Sequence, residues 1–217
     1  MNTHSFNEYG GDPWHGSITD DRSPGGDKRA QPRQRSVFRV ARVSVAGEEG
    51  FARVLNISDE GLMLAIQLRV SPGADLQIDL SEVIRLSGKV VWYDGKNCGV
   101  QLSYPIDSAA TLVRLFADSV RGGDRPLRLH CSTEAIAKGE FGTRSVQIEN
   151  ISLRGVKVRH DGCFQEGLRV KLLLGAIEER EGVVRWSQAG QAGISLLTPF
   201  SVRDLGSTDK LGRVGGS

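Results

Sequence analysis

The sequence predicts an all-β protein: two tandem six-stranded β-barrels, a bridging α-helix and disordered termini. Three observations carry that prediction. First, the hexad Asn56-Ile57-Ser58-Asp59-Glu60-Gly61 recurs as Asn150-Ile151-Ser152-Leu153-Arg154-Gly155, 94 positions later. The same offset pairs Gly73 with Gly167, Gly88 with Gly182, Trp92 with Trp186, Gly99 with Gly193 and Pro105 with Pro199. A register kept over that distance marks a duplication, and two copies are too few for a solenoid. Second, the dominant hydrophobic period within each copy is two, the period of a strand with one buried face. Third, a chain of 217 residues has room for two small domains, each long enough to bury its own core.

The elements follow in order. Residues 1–34 hold almost no branched aliphatic side chain but many Gly, Asp, Asn, Ser and Arg; such a segment cannot bury enough surface to offset its ordering entropy and is expected to be a disordered basic arm. Residues 35–120 form the first barrel with its helix, 121–205 the second barrel, and 206–217 a disordered tail. In the first copy Leu62, Leu64, Ile66 and Leu68 make one apolar row, Leu76, Ile78 and Leu80 the next, and Ile84, Leu86, Val90 and Trp92 a longer one. Val156 and Val158, then Val170, Leu172 and Leu174, repeat the pattern. Gly88 and Gly182 interrupt the long rows where a strand bulges or bends. Asp94-Gly95-Lys96-Asn97 has hairpin-turn composition. Six short strands with tight turns close most simply into a barrel, which removes their edges. Trp92 and Trp186 end apolar rows and are read as core.

After Pro105 the period changes. Leu112, Val113, Leu115, Phe116 and Val120 fall at helical spacings over 106–120, with Asp107 or Ser108 as N-cap and Gly122-Gly123 as the stop. The second copy has only Ser201 to Leu205 after Pro199, so its equivalent helix is short or missing.

Composition excludes several classes. No stretch approaches the ~20 apolar residues of a membrane helix, and no apolar leader follows the N-terminus, so the expected location is cytoplasmic. Cys98, Cys131 and Cys163 are odd in number and far apart, which argues against a disulfide framework or a metal knuckle. His160 and His130 have no partner nearby in sequence, and no metal site or cofactor is expected. There is no nucleophile elbow, P-loop or HExxH, and the acidic run Glu178, Glu179, Glu181 reads as a solvated turn; an enzyme is not expected.

Charge is local. Lys28, Arg29, Arg33, Arg35, Arg39 and Arg42 occupy a stretch without one acid, although the whole chain is only +2. A basic cluster beside a folded domain is a footprint for an anion. Within it Arg35-Ser36-Val37-Phe38-Arg39 reads RxxxR, ahead of the NISxxG hexad. Asn, Ser and Gly between strands also suit an ordinary turn, but an ordinary turn has no need to keep all three in both copies. The paired motifs, upstream of a Val-Val-Trp strand and a Gly-Val return strand, resemble the PilZ family of bacterial cyclic di-GMP receptors.

That resemblance covers residues 34–117 for the first copy and 121–200 for the second, and it implies two tandem PilZ-type barrels. It implies a ligand site of Arg35, Arg39, Asn56, Ser58 and Gly61, with Arg121, Arg125, Asn150, Ser152 and Gly155 as a second and weaker set, because Asp124 lies beside Arg125 and the extra basic residues are absent there. The chemistry fits cyclic di-GMP, which carries two phosphodiesters and two guanines. An arginine fork bridges a phosphate, addresses the acceptor edge of guanine or stacks on the base. Asn56 offers a carbonyl to the guanine donor edge and Ser58 a hydroxyl, while Gly61 permits close backbone approach. Arg35 and Arg39 are taken to precede the barrel, so that replacing them leaves stability unchanged. The implied function is a cyclic di-GMP receptor or effector that changes conformation or partner affinity on binding, with a downstream protein partner; the alternative is a ligand-free PilZ-type adaptor. Nucleic acid is disfavoured, since basic and aromatic residues are not evident across one barrel face.

Overall fold

A computed structural model describes residues 35–120, 125–175 and 177–212. The arm expected over 1–34 lies outside the described residues. The first barrel comprises β1 (Arg35–Val45), β2 (Glu48–Ile57), β3 (Gly61–Ala65), β4 (Asp75–Asp79), β5 (Arg85–Tyr93) and β6 (Asn97–Leu102), followed by α1 (Ser108–Val120). The second comprises β7 (Leu129–Gly139), β8 (Gly142–Ser152), β9 (Gly155–Arg159), β10 (Arg169–Leu174), β11 (Ile177–Gln188) and β12 (Gln191–Leu196), followed by α2 (Asp209–Gly212). Both close with the same antiparallel order, β1-β2-β3-β6-β5-β4 and β7-β8-β9-β12-β11-β10. The duplication extends to irregularities. Register shifts lie between Val54 and Asn56 and between Val90 and Trp92, and recur between Ile148 and Asn150 and between Val184 and Trp186.

The expected rows fill the barrels. Leu62, Leu64, Leu76, Ile78 and Leu80 are buried, as are Val156, Val158, Val170, Leu172 and Leu174. β3 itself ends at Ala65, yet Ile66 and Leu68 stay buried in the irregular chain beyond it. Asp94 closes the hairpin as composition suggests, accepting from the backbone N–H groups of Lys96 and Asn97 at 2.8 and 2.6 Å. Those bonds hold its carboxyl below the usual range. Gly88 differs from expectation: it stands at no bulge but in regular pairing with Leu102, and a Cβ there would meet the Gln101 carbonyl at 2.3 Å. Its role is to let β6 pass close by. Glu178, Glu179 and Glu181 lie in strand β11 rather than a turn, where Glu179 and Glu181 flank Lys171.

The helix begins where its caps predict. Asp107 Oδ1 accepts from the Ala110 N–H at 2.8 Å, and Asp59, inside the hexad, accepts from both the N–H and hydroxyl of Ser108. Leu112 and Leu115 pack into the first barrel's core, while Val113 and Phe116 are exposed. The second hexad carries Leu153 where the first has Asp59; the anchor that starts α1 is missing there, and Ser201–Leu205 forms only turns.

The two barrels share apolar packing. Phe51 of β2, 1% exposed, belongs to the second barrel's core cluster together with Leu205 and Leu211, with Val40 packed against it. The cores are therefore not self-contained, contrary to the expectation that each copy buries its own. Arg42, 8% exposed, pairs with Asp79 across the β1–β4 seam and donates to the Arg128 carbonyl at 2.6 Å. Glu49 accepts from the His130 N–H at 3.0 Å.

Residues 206–212 depart from the tail expected over 206–217, whose residues 213–217 lie outside the described residues. Ser207 and Leu211 are buried, the Phe51 N–H donates to the Leu205 carbonyl at 2.8 Å, the Thr208 N–H donates to the Glu49 carbonyl at 2.8 Å, and the Ser207 hydroxyl donates to Glu48. Leu205 and Leu211 supply the apolar contacts that a Gly- and Ser-rich composition concealed.

Candidate functional site

The first hexad forms the β2–β3 connection. The Ser58 N–H donates to the Gly61 carbonyl at 2.9 Å, and the Ser58 hydroxyl lies 3.2 Å from that carbonyl and 3.1 Å from the Gly61 N–H. Ser58 thus closes the turn, and Ser152 repeats the contact to the Gly155 carbonyl at 3.1 Å. Gly61 is required by the fold itself: a Cβ would meet the Val100 carbonyl of β6 at 2.7 Å. Asn56 sits beside the bulge, its amide nitrogen 3.5 Å from the Met63 sulfur. Its carbonyl takes no donor among the described residues.

Asn56, Ser58 and Gly61 open together onto a groove of about 490 Å³ whose other wall is Trp92. That tryptophan was expected in the core, and its equivalent Trp186 likewise; they are 42% and 41% exposed. The bulge between Val90 and Trp92 is the reason. One extra residue reverses the inside–outside phase, so the apolar row stops at Val90 and the indole turns outward. It lies against Gly99, where a Cβ would meet the indole nitrogen at 2.1 Å, and Trp186 lies against Gly193 in the same way at 2.0 Å.

The arginines are divided. Arg35 and Arg39 are in β1, not ahead of the barrel; Arg35 pairs in register with Ile57 and Arg39 with Val54. The side chain of Arg35 lies outside the described residues. Arg39 is half-buried and spends its guanidinium on the barrel, donating to the Leu80 carbonyl at 3.1 Å and the Leu115 carbonyl of α1 at 3.3 Å. It lines a cavity at the barrel junction, about 270 Å³, together with Arg125 and Arg154 over Phe51, Leu80 and Leu127. Arg121 and Asp124 lie outside the described residues. Of the first set, then, the structure gathers Asn56, Ser58 and Gly61 and leaves Arg39 elsewhere.

The second hexad opens onto its own groove of about 230 Å³, lined by Ser152, Gly155 and Trp186. Three arginines join them: Arg128, Arg154 and Arg185. Arg128 donates to the Asn150 carbonyl at 2.8 Å. The RxxxR spacing in the sequence does not reach Arg154 or Arg185. Strand register shows why: Arg35 and Arg39 pair with Ile57 and Val54, whereas their counterparts opposite Ile151 and Ile148 are Leu129 and Thr133. The neighbouring Glu149 is committed elsewhere. Lys157 and Arg159 hold its carboxyl down at about 2.

Other titratable groups have local explanations. Burial pushes the thiols of Cys98, Cys131 and Cys163 up to about 11. His160, Asp161 and Cys163 bring potential ligand atoms within 4.8 Å of one another. His160 Nδ1, however, lies 3.0 Å from the Gly162 N–H, its Nε2 is 3.1 Å from the Ser187 hydroxyl, and its ring stacks on Phe164; these contacts make the cluster a loop closure. No helix among the described residues is long and apolar enough to cross a membrane.

A known family matches part of the chain. The family described as the PilZ domain matches residues 27–118. That match starts ahead of Arg35 and takes in Arg29-Ala-Gln-Pro-Arg33, a further RxxxR. Arg33 precedes Asn56 by 23 positions and Arg125 precedes Asn150 by 25, whereas Arg39 precedes Asn56 by only 17; the upstream pair comes within two positions of the spacing in the second copy. Both upstream residues lie outside the described residues. No curated protein matches the chain. Among solved structures, PlzA of Borreliella burgdorferi in complex with c-di-GMP is similar at 15% identity and a TM-score of 0.36, covering 76% of this chain and 81% of its own. The motility inhibitor MotI/DgrA of Bacillus subtilis is similar at 14% identity and a TM-score of 0.30, covering 79% and 94%. YcgR of Escherichia coli in complex with c-di-GMP is similar at 12% identity and a TM-score of 0.28, covering 76% and 80%. Residues 27–118, with the NISxxG motif set into a closed six-stranded barrel, thus match the PilZ domain family.

Proposed function

We propose that this protein is a cyclic di-GMP receptor that changes conformation or partner affinity when the ligand binds. The observation supporting this reading is that, within a PilZ domain, the hexad residues Asn56, Ser58 and Gly61 share an open groove with an exposed Trp92. The Asn56 carbonyl suits the donor edge of guanine, and the indole supplies a stacking face. The cations come from the chain ahead of the groove: Arg35 from the strand start, and Arg29 and Arg33 upstream. Because Arg39 is engaged with two carbonyls, its part is to hold β1 against α1. In the second copy Asn150, Ser152 and Gly155 would act likewise, with Arg121 and Arg125. Closure of the arginines over the groove would be the event read by a downstream partner.

Calorimetric titration of the full chain with cyclic di-GMP, cyclic di-AMP and GTP tests the reading. Expected is affinity of about micromolar or better for cyclic di-GMP only, since adenine presents a donor where guanine presents an acceptor. Comparable heats with cyclic di-AMP would overturn it.

A further inference from the structure

The grooves of the two copies are not electrostatic equals, and the difference runs opposite to the one expected from the basic arm. Among the described residues, the first groove is lined by one acid, Glu60, and no cation. At the corresponding positions the second groove has Arg154 for Glu60 and Arg185 for Val91, and it adds Arg128. All three are exposed, and none forms an ion pair among the described residues. Arg128 is fixed in place by Asn150 at 2.8 Å. The groove shares Pro126 and Arg154 with the junction cavity, so Arg39 and Arg125 stand around the same corner. Three exposed guanidinium groups beside an exposed indole, without an ion pair among the described residues, take no part in the apolar core. They suit a ligand carrying both anionic oxygens and a flat base.

We infer that the second barrel carries a preformed site for a guanine-dinucleotide phosphodiester, held by Arg128, Arg154 and Arg185 against Trp186, which needs no help from the N-terminal arm. The inference rests on the ligand class proposed above and ranks the second groove first. Arg154 and Arg185 grip the phosphodiester oxygens. Arg128, already braced by Asn150, presents its remaining donors to the phosphate or to the guanine acceptor edge.

The experiment uses the full chain in three forms: the wild type, R29A/R33A/R35A, and R154A/R185A. Each is titrated with cyclic di-GMP and with the linear dinucleotide GpG, following heat and tryptophan fluorescence, after circular dichroism has confirmed the fold. Expected in R29A/R33A/R35A is loss of the weaker, first-groove binding with the stronger site kept, and in R154A/R185A a loss of roughly a hundredfold at the stronger site. Cyclic di-GMP binding that R154A/R185A leaves unchanged overturns the inference while the receptor reading stands. Abolition by R29A/R33A/R35A also overturns it. Binding of GpG alone, lost in R154A/R185A, sustains the site and refutes the receptor reading. Silence with both ligands refutes both.

Discussion

Arg39→Ala separates two accounts of the same residue. Read from the RxxxR pattern, Arg39 is a ligand residue ahead of the barrel, and its loss leaves the ligand-free protein as stable as before. Read from the structure, it is a half-buried strut whose guanidinium donates to the Leu80 and Leu115 carbonyls. Both acceptors belong to residues only 2% exposed, so the substitution strands them where water enters poorly. Charged donors contribute about 1.5–3 kcal/mol each in favourable geometry, less when partly hydrated. At 3.1 and 3.3 Å the two bonds here are of moderate length, and a total near 2 kcal/mol is expected. For a protein of this size that lowers Tm by roughly 4–8 °C. The assay is urea and thermal unfolding without ligand, beside calorimetry with cyclic di-GMP. An unchanged midpoint together with a tenfold or greater loss of affinity would refute the strut and restore the ligand role.

Three further outcomes follow from the geometry. Gly99→Ala places a Cβ 2.1 Å from the Trp92 indole nitrogen; the indole must swing away, with a cost of about 1–3 kcal/mol, a shifted tryptophan emission and weaker binding in the first groove. Arg42→Met leaves Asp79, with its side chain 14% exposed, only the more distant Arg85 at 3.9 Å and removes the bond to Arg128; a loss of about 3 kcal/mol, the low end for a broken buried pair, is expected in denaturant unfolding, and Arg42→Met/Asp79→Leu should recover part of it. Glu149 titrates at about 2 in the folded protein instead of its usual 4.5, so its contribution is present above pH 4.5 and fades as pH falls toward about 2. Glu149→Gln should therefore destabilise at pH 7 and differ little from the wild type near pH 2, as read by denaturant midpoints.

The repeated hexad revealed most of the architecture, because a 94-residue offset that pairs glycines and tryptophans also pairs strands. What period-two counting could not see was phase. A bulge costs one residue, and after it every side chain changes face, so Trp92 and Trp186 looked internal in sequence and stand outside. The same limit hid the second groove: Arg154 and Arg185 are neighbours only once β9 and β11 lie on either side of β12. The contacts of Arg39 were hidden for a different reason. Its carbonyl partners, Leu80 and Leu115, are 41 and 76 positions away, and no local pattern announces a backbone acceptor. The hexad itself supported both readings, since Ser58 closes its turn and also borders the groove.

Phe51 carries one more lesson. Its amide points away from barrel one to the carbonyl of Leu205, and its ring completes the interior of barrel two. Deuterium uptake at that single amide would therefore report the release of the C-terminal segment and not the opening of the strand that contains it. A ligand that stiffens β8 and β9 would slow exchange on a residue of the other copy. Two barrels joined in this way are expected to unfold together, and a ligand held by either groove would then raise the stability of the whole.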